Sequence, residues 1–312
     1  MQKKRKIKIV KSALIALTVL GLVTIHFIIP RLIIQKRITL KVSNIERYVA
    51  YDSIINDSSQ FKRKKLSFKS FDGLNLSALF THSSIDSAKG TIILIPNSSS
   101  NKYNFMEFSE VLAKRGYNSV AVDLRGFGES EGRFTTYGVK EKKDIQSLID
   151  ELYKHKDIEP IGVWGSSIGG AVAMQAMGIE KRIKFGIIEC TMTDFRTSMN
   201  SYFTRLTKLK LKPLSNYIID RSGSIGGFDT DDASPVKYAE NITQPIIIAH
   251  GGKDKVFKVK YAKENFDKIE SINKKFILLE EASHDDIWDV GGDKYLNNVM
   301  EFLNAHSIQL NN

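Results

Sequence analysis

The sequence predicts an α/β protein with a mostly parallel central sheet, helices on both faces, a helical lid inserted late in the chain and one transmembrane helix ahead of the body. Three observations carry this. Short β-branched apolar runs alternate with helical patterns, a hairpin pattern precedes them, and a long apolar stretch opens the chain.

Taken in order, Lys3-Lys4-Arg5-Lys6 precedes an apolar run over 12–29 whose one strongly polar side chain is His26, and Pro30-Arg31 closes it. A helix of that length rises about 27 Å, close to the roughly 30 Å of a hydrocarbon core. A cleaved signal needs a shorter apolar core and a small-residue cleavage site, which Ile25-His26-Phe27-Ile28-Ile29 does not offer, so the run reads as an uncleaved anchor. Six basic residues precede it and four follow it by residue 41, a slight bias that puts the amino terminus inside and the body outside the membrane. Residues 1–41 thus form a basic flank and anchor, 42–61 a linker, 62–306 the body and 307–312 a polar tail.

In the body, 65–69 and 74–79 alternate polar and apolar around Asp72-Gly73, a hairpin signal. Apolar runs at 91–95, 119–122, 161–164, 185–188, 246–249 and 276–279 read as strands buried on both faces. Between them Ile145, Leu148, Ile149 and Leu152 fall at i, i+3, i+4 and i+7, one helical stripe, and 258–269 and 294–303 behave alike. From 191 to about 241 no strand is evident. A helix-like piece and the loop Gly223-Ser224-Ile225-Gly226-Gly227 fill an interval too long for an ordinary connection, which marks a lid.

The formal net charge of +11 suggests a nucleic-acid binder, but residues 1–41 hold ten of the 46 basic residues and no acid, leaving 36 against 35 in the remainder. A near-neutral body carries no overall footprint for DNA or RNA. The single cysteine, Cys190, excludes an intrachain disulfide and any multi-cysteine metal site.

The chemistry begins at Gly165-Ser166-Ser167-Ile168-Gly169, which follows strand 161–164 and opens a helical stretch. A strand-to-helix turn this tight leaves no room for bulk two residues either side of a nucleophile, and that spacing selects Ser167. A serine needs a neutral imidazole to take its proton and a carboxylate to orient that imidazole. Of six histidines, His26 lies in the anchor, His82 ends the hairpin, His155 ends a helix, His306 sits in the tail and His250 suits a structural turn before Gly251-Gly252. His284, in the loop after strand 276–279, is the candidate base, and Asp254, past strand 246–249, the candidate acid, with Asp285, Asp286 and Asp289 as competitors. The order Ser167, Asp254, His284 is that of the nucleophile-elbow arrangement.

On these residues, together with His250-Gly251-x-x-Asp254 and the loop Asp123-Leu124-Arg125-Gly126-Phe127-Gly128-Glu129-Ser130, the chain resembles the alpha/beta-hydrolase superfamily over roughly 62–306, nearest its lid-bearing carboxylesterase, monoacylglycerol-lipase and serine-aminopeptidase-like members. The resemblance implies an alpha/beta-hydrolase fold, structural roles for Asp123 and Arg125, and an oxyanion hole made by the backbone N–H groups of Ile168 and Ser98. Family members carry His-Gly before the second donor; here Pro96-Asn97 stand there, and asparagine is expected to supply the positive φ of the missing glycine.

The lid segment 195–219 interleaves Arg196, Arg205, Lys208, Lys210 and Lys212 with Phe195, Met199, Tyr202, Phe203, Leu206, Leu209 and Leu211, a face suited to anionic lipid headgroups or an acyl chain as well as to plain solvation. The expected activity is a membrane-anchored, single-pass serine hydrolase cleaving a carboxylic ester or thioester, with a small-molecule or lipid substrate, no cofactor, no metal, no nucleic acid and no obligate protein partner. A peptidase or acyltransferase on the same residues, and a non-catalytic binding or scaffold protein on this fold, stay open.

Overall fold

The structure, a computed structural model, describes residues 2–35, 61–155, 158 and 160–307. Nearly all of the expected linker, and residues 308–312 of the expected tail, lie outside the described residues.

Helix α1 (Gln2–Val23) runs through a widened turn, Thr24–Ile28, into α2 (Ile29–Ile34). The helix therefore does not end at Pro30-Arg31. A proline lacks the N–H for the bond four residues back and crowds that carbonyl; the ladder absorbs this by widening, with Ile29 N–H donating to Thr24 O, and helix continues beyond. The stretch Arg5–Ile34 is long and apolar enough to cross a membrane, and none of its most apolar window is buried. Its carboxyl-terminal end is tied to the body. Ile34 is wholly buried, Tyr137 O–H donates to Ile33 O at 2.8 Å, Thr135 N–H donates to Ile34 O at 2.9 Å, and His26 Nδ1 is hydrogen-bonded to Tyr217 O–H.

The body is one eight-stranded sheet: β1 (Arg63–Lys69), β2 (Asn75–Thr81), β3 (Thr91–Ile95), β4 (Asn118–Val122), β5 (Ile161–Ser166), β6 (Ile183–Glu189), β7 (Ile246–Gly251) and β8 (Lys274–Leu279), in the order β1-β2-β4-β3-β5-β6-β7-β8. The leading hairpin pairs antiparallel around Gly73, whose φ of +91° the turn requires, and β3 to β8 pair in parallel. Edge strand β1 alternates buried and exposed residues while β3 and β4 are buried throughout, as their sequence patterns demand. Helices α4 (Glu141–Leu152), α5 (Ile168–Ile179) and α9 (Val259–Lys268) cover one face; α3 (Met106–Lys114) and α10 (Ile287–Ser307) cover the other. His306 belongs to the last turn of α10, its ring 4.6 Å from that of Phe302, not to a tail. His155 lies in the turn beyond α4, which ends at Leu152.

Between β6 and β7 the lid interval holds α6 (Phe195–Thr207), α7 (Lys212–Gly226) and the short α8 (Pro235–Ala239). Gly223 to Gly226, expected as a loop, form the last turn of α7. Gly223 is there for close approach, since a Cβ would stand 2.7 Å from Phe228 O and from Thr230 Cγ2, and the helix stops at Gly227 with φ +64°.

The loop after β4 is held by charge. Asp123, fully buried, accepts from Lys102 Nζ at 2.6 Å, Lys102 N–H at 2.8 Å and Glu129 N–H at 2.9 Å, while a Cβ on Gly128 would fall 2.1 Å from its carboxylate. Arg125 grips Asp144 at 2.6 and 2.7 Å and Asp72 at 2.9 and 3.0 Å, each bidentate. Its guanidinium holds Asp72 down at about 2. These contacts fasten the β1–β2 turn, α4 and the segment 101–105 around the amino half of the sheet.

Because the end of α2 packs into the body, deleting residues 2–41 is expected to cost about 2–4 kcal/mol through lost burial around Ile34, whereas deleting 2–23 leaves stability unchanged; urea unfolding of the two truncations in detergent checks this.

Candidate active site

Six parallel strands end at one edge of the sheet, and residues past the ends of β3, β5, β6, β7 and β8 meet there, as in open α/β sheets generally. The turn from β5 to α5 sets the geometry. Ser167 occupies φ +57°, ψ −119°, an unfavourable conformation for a residue with a side chain. It is held by Ser167 N–H donating to Glu189 O at 2.9 Å, and by Thr191 O–H donating to Ser167 O at 2.9 Å. The flanking glycines are required by contact distances: a Cβ on Gly165 would lie 2.3 Å from Gly169 O, and one on Gly169 would lie 2.2 Å from Ile95 O. No side chain fits either place.

From the ends of β7 and β8 come the other two residues. His284 Nε2 stands 3.0 Å from Ser167 Oγ and His284 Nδ1 stands 2.8 Å from Asp254 Oδ2. Nδ1–H donates to the carboxylate, which leaves Nε2 free to accept the serine proton. The two loops can approach because Gly251 and Gly252 lack side chains; Cβ atoms there would fall 2.3 Å from Ser283 O and 2.5 Å from Glu280 O. Asp254 Oδ1 accepts the N–H groups of Val256 and Phe257 at 2.7 and 2.9 Å. Burial alone would raise its pKa, but hydrogen bonds from His250, His284 and the Phe257 N–H outweigh this and hold the carboxyl far below its usual range. His250, read as structural from sequence, is wholly buried with Nε2 3.1 Å from Phe257 O and 3.3 Å from Asp254 Oδ2, so it also braces that carboxylate. Asp285 is exposed, Asp286 accepts Ser283 N–H at 2.5 Å, and Asp289 sits in the first turn of α10; the acid that accepts from His284 is Asp254.

The segment after β3 departs from expectation. Asn97 does not take a positive φ; its side chain instead accepts from Ser99 N–H at 3.0 Å and Ser99 O–H at 3.1 Å, folding the turn locally. Ser98 is exposed on this loop, which packs against the first turn of α5 through Gly169. Among the described residues neither Ser98 N–H nor Ile168 N–H, at the start of α5, has a hydrogen-bond acceptor.

Beside His284 lies a cavity of about 310 Å³, walled by Phe105, Phe108, Trp164 and Trp288, with Ser166 and Asn97 at its border and Glu189 in its lining. Glu189 is buried; Tyr295 O–H donates to its Oε1 at 2.6 Å and Trp288 Nε1–H to its Oε2 at 3.4 Å. Burial pushes its pKa up, against hydrogen bonds from Tyr295, Trp164 and Trp288. Sequence reasoning passed over this residue, although an acid closing the otherwise apolar run Gly-Ile-Ile-Glu at the carboxyl edge of the sheet was a legible signal. Cys190, Asp254 and His284 bring donor atoms within 4.8 Å of one another, but burial raises the Cys190 thiol, and the other two are bonded to each other, a poor set of metal ligands.

Substituting Gly169→Ala is expected to destabilise the fold by about 2–3 kcal/mol through overpacking against Ile95 O, read by urea unfolding; an unchanged midpoint would contradict the close approach of Gly169 to β3.

Residues 86–225 match the serine aminopeptidase S33 family. Among relatives, YfhR of Escherichia coli, an uncharacterised protein, is 26% identical over 260 residues, covering 81% of this chain and 84% of that one. YqkD of Bacillus subtilis, likewise uncharacterised, is 23% identical over 308 residues, covering 96% and 97%. An esterase of Pyrococcus furiosus superposes with a TM-score of 0.65 at 22% identity, covering 79% of this chain and 94% of that chain. An acylaminoacyl peptidase of Pyrococcus horikoshii superposes with a TM-score of 0.63 at 21% identity, covering 82% of this chain and 43% of the peptidase. With its strand order, its turn after β5 and these similarities, the chain has an alpha/beta-hydrolase fold.

Proposed function

We propose that the protein is a serine hydrolase acting on a carboxylic ester or thioester. The observation that carries this is the unbroken hydrogen-bond chain from Ser167 Oγ through His284 to Asp254. His284 Nε2 accepts the Ser167 proton as Oγ adds to the carbonyl carbon, and the imidazolium formed is stabilised by Asp254, whose low pKa keeps it ionised. The free N–H groups of Ile168 and Ser98 receive the oxyanion, each such donor being worth about 3–4 kcal/mol. His284 then protonates the leaving group, and water, deprotonated by the same imidazole, releases the acyl group from Ser167. Similarity to the serine aminopeptidase family supports amide cleavage as the second reading on the same residues.

A fluorophosphonate probe tests the assignment on the full chain in detergent. Labelling is expected for the wild type and Ser166→Ala and absent for Ser167→Ala, and Asp254→Asn should lower kcat about 10⁴-fold. Failure of folded wild type to label would favour a binding protein on this fold.

The same proposal places the protein in a membrane, with residues 12–29 as a single span and the body outside. The exposed apolar helix supports the span, as do Leu206, Leu209, Leu211 and Tyr217, which stand exposed among the basic residues of the lid. The chain is expected to resist alkaline carbonate extraction and to be shaved by external protease on intact cells; release by carbonate or full protection would refute the respective half of this reading.

A further inference from the structure

The cavity beside His284 has a composition that a plain acyl pocket does not need. Three of its rings pack as a cluster: Phe108 lies 4.8 Å from Trp164 and 5.0 Å from Trp288, and the two indoles are 5.4 Å apart. These are the only two tryptophans in the chain. Glu189 lies in the same wall, and Asp285 adds a second acid at an exposed position, while no lysine or arginine lines the cavity. Among the described residues no lysine, arginine or histidine comes within ion-pair distance of Glu189. Its side-chain hydrogen bonds come from Tyr295 O–H and Trp288 N–H. A buried carboxyl group without a cationic partner is costly to ionise, so its anion gains most when a cation enters beside it.

We propose that this cavity binds a quaternary ammonium group on the substrate, so that the preferred ester carries a trimethylammonium-type cation within a few atoms of the scissile carbonyl. Aromatic faces attract such a cation, and the Glu189 carboxyl, ionising against it, supplies its counter-charge. Since both Glu189 oxygens already accept a hydrogen bond, from Tyr295 and from Trp288, a cation with no N–H to donate fits better than a primary amine. Its place is set by His284, which shares the cavity wall and reaches Ser167 at 3.0 Å. This inference rests on the hydrolase reading of the same site for its substrate, though not for the binding.

Because both indoles line the cavity, intrinsic fluorescence reports occupancy directly. The experiment titrates the full-length Ser167→Ala chain in detergent with choline, with its uncharged isostere 3,3-dimethylbutan-1-ol, and with the primary amine alaninamide. Choline is expected to give a saturable change at least tenfold tighter than either of the others. Glu189→Gln should weaken choline at least tenfold while leaving the isostere unaffected, and Asp285→Asn, at an exposed position, should weaken it two- to threefold if the first variant does not fold. Equal binding of choline and the isostere would overturn the proposal, as would tighter binding of alaninamide, which would assign the cavity to a peptide amino terminus. Fluorophosphonate labelling of the wild type separates the two readings. Labelling without choline binding sinks the cation site alone; choline binding without labelling upholds the site and sinks the hydrolase.

Discussion

The site depends on backbone atoms coming closer than side chains would permit. Gly165 faces Gly169 across the turn after β5, and Gly169 is pressed against the end of β3. Only that approach lets Ser167 stand in its strained conformation with Oγ above the sheet edge, and it also brings the start of α5 against the loop that carries Ser98. Gly251 and Gly252 do the same for the loops after β7 and β8. Three loops far apart in sequence are thereby held at fixed separations by contact, which is why the distances from Ser167 to His284 to Asp254 fall within hydrogen-bonding range before any substrate is present.

Around this frame the electrostatics divide into two kinds. Among the strands and loops of the amino-terminal half of the chain, Lys102 with Asp123 and Arg125 with Asp144 and Asp72 are ion pairs that fasten loops. At the carboxyl edge, Asp254 is stabilised by two histidines and two backbone N–H groups, and Glu189 only by neutral donors. Glu189 thus differs from the other buried carboxyl groups described above in having no cationic side chain beside it among the described residues.

Most of the fold was legible because its strands are continuous apolar runs with clear ends; each of the eight expected strands has its counterpart within a few residues. Ser167, His284 and Asp254 were legible through their places after β5, β8 and β7, since in a parallel sheet chain position past a strand is position in space. What failed did so for local reasons. Pro30 stops a regular helix but not one that can widen a turn, and the glycines of 223–226 looked like a loop because glycine required by close packing resembles glycine required by a turn. The aromatic cavity was invisible for a different reason: Phe105, Phe108, Trp164 and Trp288 come from three separate segments, and no short motif records their meeting.

The docking of α2 has a mechanical consequence. Only four residues, 30–33, lie between the end of the apolar run at 29 and the buried Ile34, a rise of about 7 Å. The rod is gripped there by Tyr137 and Thr135 and touches α7 of the lid through His26 and Tyr217. Such a mount acts as a bracket rather than a leash: the body cannot swivel freely about the helix, and tilting of the helix is transmitted to the lid as torque.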